Sequence, residues 1–338
     1  MSQALIIGGG LAGCTAALEI ADGGFNVTLL EKTGRIGGKV RNYGCKATSR
    51  CNNCGLCLAG DLWDRIEHHE KIRILTEVDL KDVMGSKGDF KVVIRNKDGA
   101  GTLSGITAIV VSIGFDEFSS ISSGSLEYNP EKGIISGYDM EKLIARRGKT
   151  GIFSEPPMSV AFVQCYGSRD VQEKTPYCSR VCCGYSTRAA RVLRQYCPET
   201  KIVFFYMDLQ RVEEGNYFET LVNDNIEFVR CRPVKIISGK IARIAYEQPG
   251  VSGIIEREFD LIVLSEGIHP SCDTDRIAEL FMLGIDKNGF LKYVKDGDNT
   301  GIYLIGCASG PKKIEEVRSE ALTTAREIIQ KGTFGGLV

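Results

Sequence analysis

The chain has 338 residues, 43% apolar and 25% charged, proportions ordinary for a soluble globular protein with room for two domains. A formal net charge of −1 leaves no global field to recruit nucleic acid, and no segment approaches the ~20 apolar residues of a membrane span. The N-terminus, MSQALIIGGG, lacks a basic leader or cleavage signature, so the 13 cysteines point to metal chemistry in the cytoplasm rather than to structural disulfides.

In chain order, Ala4–Ile7 is an apolar run suited to a buried parallel strand. Gly8-Gly9-Gly10-Leu11-Ala12-Gly13 then matches G-x-G-x-x-G. A helix over Leu11–Ala21 stops at Gly23-Gly24, and a second strand, Val27–Leu30, ends in Glu31. Such glycines allow a tight turn and close approach of the backbone to a pyrophosphate, while the helix N-terminus offers unpaired N–H donors. Glu31, 18 residues past Gly13, can accept from a ribose. Strand, glycines, helix, strand and acid in this order predict dinucleotide binding. Gly34-Arg35-Ile36-Gly37-Gly38 resembles the loop that follows the acid in two-dinucleotide flavoproteins, which selects FAD over NAD.

The plan repeats. The first half has a strand at Ile72–Leu75, a hairpin arm at Phe90–Arg95, a Lys97-Asp98-Gly99 turn and a closing apolar run, Thr107–Gly114. The second half has Ile226–Val229, Ile241–Tyr246, a Gln248-Pro249-Gly250 turn, Ile254–Glu258 and the closing run Asp260–Gly267. Two copies predict two Rossmann-like domains, 1–118 with 288–338 and 119–287. The second copy opens with a strand at Ser159–Gln164, and its next strand is Ile202–Tyr206, ending near Asp208. Where its glycine motif belongs, the chain reads Cys165-Tyr166-Gly167-Ser168-Arg169-Asp170 and runs on to Cys183, with a helix over Ser179–Gln195.

Cys165, Cys178, Cys182 and Cys183 have the spacing C-x12-C-x3-C-C. Thiols this close suit the corners of an iron–sulfur cube. The plain alternative is a free vicinal pair, or a vicinal disulfide, at Cys182-Cys183. A second group, Cys45, Cys51, Cys54 and Cys57, stays open between a second cluster, a redox disulfide and a zinc site, with Cys54 and Cys57 its firmest pair. Of the scattered cysteines, Cys14, Cys197, Cys231 and Cys272 read as small buried hydrophobes. His68, His69 and His269 show no ligand spacing.

Toward the C-terminus, Thr300–Cys307 looks like the last FAD-contacting strand of such flavoproteins, which usually ends in Gly-Asp. Here Gly306-Cys307 puts a thiol in the carboxylate's place. Pro311 is expected to open a helix reaching about Ile329. Its N-terminus can face the flavin, with Lys312 and Lys313 either adding charge there or simply solvated.

Together, GGGLAG, LLEKTGRIGGK, CNNCGLC, QCYGSRD, PYCSRVCC and LIGCASGPKKI resemble the HdrA component of heterodisulfide reductase over nearly the whole chain. The resemblance implies a thioredoxin-reductase-like α/β fold of two Rossmann-like domains. It also implies FAD held by Gly8, Gly10, Leu11, Ala12, Gly13, Glu31, Lys32, Gly37, Gly38, Lys39, Gly114, Gly306, Cys307 and Pro311, and a [4Fe-4S] cluster on Cys165, Cys178, Cys182 and Cys183. No C-x2-C-x2-C-x3-C-P run is present, so the chain is similar to the short form found in heterodisulfide-reductase-like complexes of sulfur oxidisers. That form implies a cytoplasmic, homodimeric electron-transfer subunit with HdrB-like and HdrC-like iron–sulfur partners, working in the oxidation of sulfane sulfur. Three other readings stand beside it: an NAD(P)H-dependent disulfide reductase using a pair among Cys45–Cys57, an electron-bifurcating reductase subunit, and a non-enzymatic scaffold stabilised by clusters.

Overall fold

Runs of consecutive apolar residues need cover on both faces of a strand, and the fold provides it twice. The computed structural model describes residues 3–97, 99–118, 128–147, 151–210, 225–294 and 300–334. Asp98, in the expected first-half turn, lies outside them. Two compact units form, one from 1–41, 55–116 and 270–338, the other from 42–54 and 117–269.

The first unit begins with β1 (Gln3–Ile7), α1 (Leu11–Asp22) and β2 (Asn26–Leu30). It continues through α2 (Leu62–Glu67), β3 (Ile72–Leu75), β4 (Asp79–Ser86), β5 (Asp89–Asn96) and β6 (Gly99–Val111). The sheet order is β3-β2-β1-β6-β5-β4, with the C-terminal strand Ile302–Leu304 also on β6. The 13-residue β6 does two jobs. Its exposed, glycine-containing start pairs antiparallel with β5, while its buried end, Ile106–Val111, pairs parallel with β1. The C-terminal helix Ile314–Phe334 lies along α1, where a Cβ on Gly23 would collide with Ile329 and Arg326 bonds Glu19 at 2.9 Å.

In the second unit, β7 (Ile134–Ser136) leads into α3 (Gly137–Arg146). A reciprocal cap marks that junction: Ser136 Oγ accepts from Asp139 N at 3.0 Å, and the Asp139 carboxylate accepts from Ser136 N at 3.2 Å. Then come β8 (Ser159–Tyr166), α4 (Cys182–Tyr196), β9 (Lys201–Tyr206) and β10 (Ile226–Arg230). A meander of β11 (Lys235–Ile237), β12 (Ala242–Tyr246) and β13 (Ile255–Phe259) precedes β14 (Leu261–Glu266). The main sheet is all parallel in the order β10-β9-β8-β14-β7. Its side chains alternate as the two-residue period requires. Val160, Phe162, Ile202 and Phe204 join the core with the helix residues Ile144, Ala190 and Leu193, whereas Ala161, Val163, Val203 and Phe205 pack with Ile236, Ile244 and Phe259 of the meander.

Two domain boundaries differ from expectation. Residues 270–287 belong with the first unit, because Ile277, Ala278 and Phe281 of the helix Thr274–Phe281 share a core with Leu5, Ile7 and Val111. Residues 42–54 belong with the second unit, tied there by polar contacts described below. Among the described residues, no helix is long and apolar enough to cross a membrane.

Candidate functional site

In the first unit, the glycine motif joins β1 to α1 and every glycine has a different reason to be one. A Cβ on Gly8 (φ +100°) would overlap the Ser112 carbonyl, and one on Gly13 would overlap the Gly8 carbonyl. Gly10, by contrast, faces open space with no heavy atom within 4 Å of its Cβ position. Gly10 caps α1 without any side-chain hydrogen bond, and the first turn holds no acidic residue. An open, uncapped helix start of this kind fits a phosphate.

The other expected cofactor residues converge there. Gly37 N donates to Gly9 O at 2.7 Å, and Gly38 (φ +54°) comes so close to Gly10 that its Cβ would stand 3.1 Å from the Gly10 Cα. A Cβ on Gly306 would lie 2.8 Å from Ala12 Cβ, so the C-terminal turn presses on the first turn of α1. Glu31 is buried and shapes the loop: it accepts from Gly9 N, Thr33 N and Thr33 Oγ1, each at 2.8 Å. Gly114 (φ +75°) follows β6 at the same strand ends. Lys32 pairs with Asp273 at 3.0 Å, and Lys39 sits over the Phe115 ring at 5.3 Å. Ser112 escaped the sequence reading; its Oγ donates to Ile7 O and Gly8 O, both at 2.9 Å, and so braces the glycine turn.

Pro311 does not open the C-terminal helix, which starts at Ile314. Gly306–Ser309 instead forms a 3-10 turn, and Glu316 caps the helix start by accepting from Lys313 N at 2.8 Å. Nor is the Lys312 ammonium a charge held out for a ligand. It is engaged by Gly306 O, Ser309 Oγ and Glu320.

In the second unit the same strand–turn–helix position carries thiols. Cys165, next to last in β8, has a left-handed conformation (φ +60°), and Cys182 and Cys183 form the first turn of α4, which starts three residues later than Ser179. Cys178 acts electrostatically on all three of these thiols, Cys165 acts on Cys182 and Cys183, and Cys183 acts on Cys182, so the four share one neighbourhood. Burial, then the neighbouring sulfurs, pushes Cys182 far up; burial first of all pushes Cys183 up to about 11. Burial also raises Cys165, opposed by the Arg169 guanidinium, which hydrogen-bonds its sulfur. Arg180 N donates to Cys178 Sγ at 3.3 Å.

Among the described residues, no three ligating side chains converge on a single ion. The sulfurs that hold a cubane stand farther apart than those around one ion, so the shared neighbourhood, the thiolate chemistry and the N–H···S donors fit a cluster. The excursion is pinned at several points. Ser168 and Ser179 share a 2.8 Å hydrogen bond, Ser179 Oγ accepts from Ile268 N at 2.9 Å, and Asp170 pairs with Arg232. Arg169 also bonds Asp208 at 2.7 Å, which holds that carboxyl below its ordinary range.

The expected second cysteine group is divided. Cys45, Cys51 and Cys54 lie in the second unit, and Cys57 lies in the first, on the 3-10 turn Leu56–Ala59. Cys45, Cys51 and Cys57 are exposed and Cys54 is half-buried. Ala47 N and Asn53 N donate to the sulfurs of Cys45 and Cys51 at 3.5 and 3.4 Å. The segment is anchored by a buried Lys46–Glu141 ion pair and by α4. Arg188 bonds the carbonyls of Asn52 and Asn53 at 2.7 and 3.0 Å, and Arg191 bonds Asn52 Oδ1 at 3.0 Å. Of the scattered cysteines, Cys14 and Cys197 are buried as expected, but Cys231 is half-buried and Cys272 is exposed, its N–H donating to Asp116 at 2.7 Å.

Comparison with known proteins agrees with this geometry. A family model described as an NAD(P)-binding Rossmann-like domain matches residues 6–60. Thioredoxin reductase of T. acidophilum superposes with a TM-score of 0.67 at 16% identity, covering 98% of this chain and 100% of that one. The Lactococcus lactis enzyme gives 0.62 at 16%, covering 98% of each. The chain therefore has the two-domain fold of the thioredoxin-reductase type.

In sequence it is HdrA-like. It is 27% identical to an A-type iron–sulfur subunit of the CoB–CoM heterodisulfide reductase of Methanopyrus kandleri, over 92% of this chain and 61% of the relative. It is 26% identical to the corresponding iron–sulfur subunit of Methanocaldococcus jannaschii, over 96% and 63%. The chain thus spans about three fifths of the length of these curated relatives.

Proposed function

We propose that this chain is an FAD- and [4Fe-4S]-containing electron-transfer subunit of a heterodisulfide-reductase-like complex. One observation carries the reading: the strand–turn–helix that makes a phosphate cradle between β1 and α1 recurs between β8 and α4 with cysteines in place of glycines. When bound, the flavin and the cluster supply the redox chemistry; the chain supplies binding, orientation and electrostatics. The Gly8–Gly13 turn, Glu31, Gly37-Gly38 and the Gly306 turn would hold the dinucleotide. Cys165, Cys178, Cys182 and Cys183 would hold the cluster, with release of the protons that burial otherwise keeps on Cys165, Cys182 and Cys183. Arg169 offsets the resulting negative charge at Cys165. Pairing of Asp208 with Arg169 also occupies the acid at the end of β9, the position that would face a ribose in an NAD(P)H site.

The setting we favour is cytoplasmic oxidation of sulfane sulfur, by a homodimer working with HdrB-like and HdrC-like iron–sulfur subunits. Support comes from the resemblance to the short form and from the names of the relatives, which are heterodisulfide reductase subunits.

The test is anaerobic quantification of iron, sulfide and flavin, with EPR of the reduced protein. About four irons and one FAD per chain are expected, and about eight irons would add a cluster involving the Cys45–Cys57 group. The variant Cys182→Ser/Cys183→Ser should lose the iron and keep the flavin. Iron unchanged in that variant, or absent from protein never exposed to air, overturns the assignment.

A further inference from the structure

In the turn after the strand Ile302–Leu304, the two peptides flanking Gly306 are each held by a charged side chain. Gly306 N–H donates to Glu320 Oε2 at 2.7 Å, and Gly306 O accepts from Lys312 Nζ at 2.7 Å. The same ammonium donates to Ser309 Oγ at 2.6 Å and pairs with Glu320 Oε1 at 3.1 Å. Both side chains are largely shielded, 19% and 31% exposed, so the pair is less screened than a surface one. Gly306 sits at φ +70° against Ala12, so the held turn packs on the first turn of α1, the helix that opens at Gly10. The following residue is Cys307, buried, with burial raising its thiol to about 11; it makes only a long contact, 3.8 Å, to Lys312 O. A neutral thiol does not replace the acceptor oxygens of a carboxylate.

We propose that Lys312 and Glu320 are positioning residues for the flavin nucleotide. Their ion pair holds the Gly306–Cys307 turn in the shape in which it packs on the first turn of α1. The inference rests on the FAD reading above and assigns that site two residues outside the glycine motif.

Lys312→Met, Glu320→Ala and Lys312→Arg in the full chain test it. Three quantities are read: FAD affinity by titration of deflavinated protein, the absorbance spectrum and midpoint potential of the bound flavin, and the melting temperature of the flavin-free form. Losing charge-assisted hydrogen bonds of this kind should weaken FAD binding by about tenfold or more in the first two variants. The flavin spectrum should shift, Lys312→Arg should recover most of the affinity, and iron content and flavin-free melting should stay near wild type. Wild-type affinity in all variants overturns the proposal while leaving the FAD reading intact. So does affinity that falls only in step with flavin-free melting and is not recovered by arginine. Wild-type protein that neither carries nor takes up FAD overturns both.

Discussion

At the residue scale, Gly8 and Gly13 of the glycine motif are demanded by the packing around them, whereas Gly10 is not. Gly13 is crowded by the Gly8 carbonyl, while Gly10 looks into empty space with an ordinary φ of −77°. Alanine at 10 is therefore expected to leave the melting temperature of flavin-free protein nearly unchanged, within about 0.5 kcal/mol, yet to obstruct the dinucleotide. Alanine at 13 should cost about 1–3 kcal/mol through overpacking, with or without flavin. Thermal melts of the deflavinated variants beside FAD titrations distinguish the two, and equal effects at both positions would contradict the division. The motif was legible as a motif because its spacing is local. Which glycine faces the ligand was not, since that depends on what Ser112 and Gly38 bring alongside.

At the element scale, α4 organises more than its own thiols. Its first turn presents Cys182 and Cys183, and further along Arg188 and Arg191 seize the main chain and side chain of Asn52, between Cys51 and Cys54. Lys46 and Glu141 complete the anchor from α3 as a buried ion pair. Replacing Glu141 by leucine strands the Lys46 ammonium in the interior and should destabilise the protein by about 3–5 kcal/mol. Arg191→Met is milder and should speed alkylation of Cys51 and Cys54, read by mass spectrometry, without matching gains at Cys182. Unchanged alkylation rates would show that the segment is held by something other than α4. None of this was readable beforehand: Glu141 and Lys46 are 95 residues apart in the chain, and Asn52 and Arg191 are 139 apart. The hairpin of each half, in contrast, was visible from turn residues within short windows, although the strands beside it, β4 and β11, were not.

At the scale of the whole molecule, the two units share a plan and differ in the residues at the matching strand–helix turn. Among the described residues, the second unit carries Cys165-Tyr166 at the end of β8 where the first carries glycines, and its acid after β9, Asp208, is paired with Arg169. Anaerobic mixing of the isolated protein with excess NADH or NADPH should accordingly leave flavin absorbance unbleached on the timescale of seconds. Rapid bleaching would instead favour a nicotinamide-dependent disulfide reductase.

The sequence by itself determined the two-domain α/β architecture, the dinucleotide motif and the cysteine run at the second unit's loop. Each of these is written in contiguous spacing or short-period hydrophobicity, and local geometry follows directly from such patterns. Only the tertiary structure decided that the helix 274–281 packs with the first unit, that the C-terminal helix starts at Ile314 and not at Pro311, and that Lys312 and Glu320 hold the backbone on both sides of Gly306. Those outcomes depend on which buried polar group finds a partner and which apolar face finds cover, and the partners lie far apart in the chain.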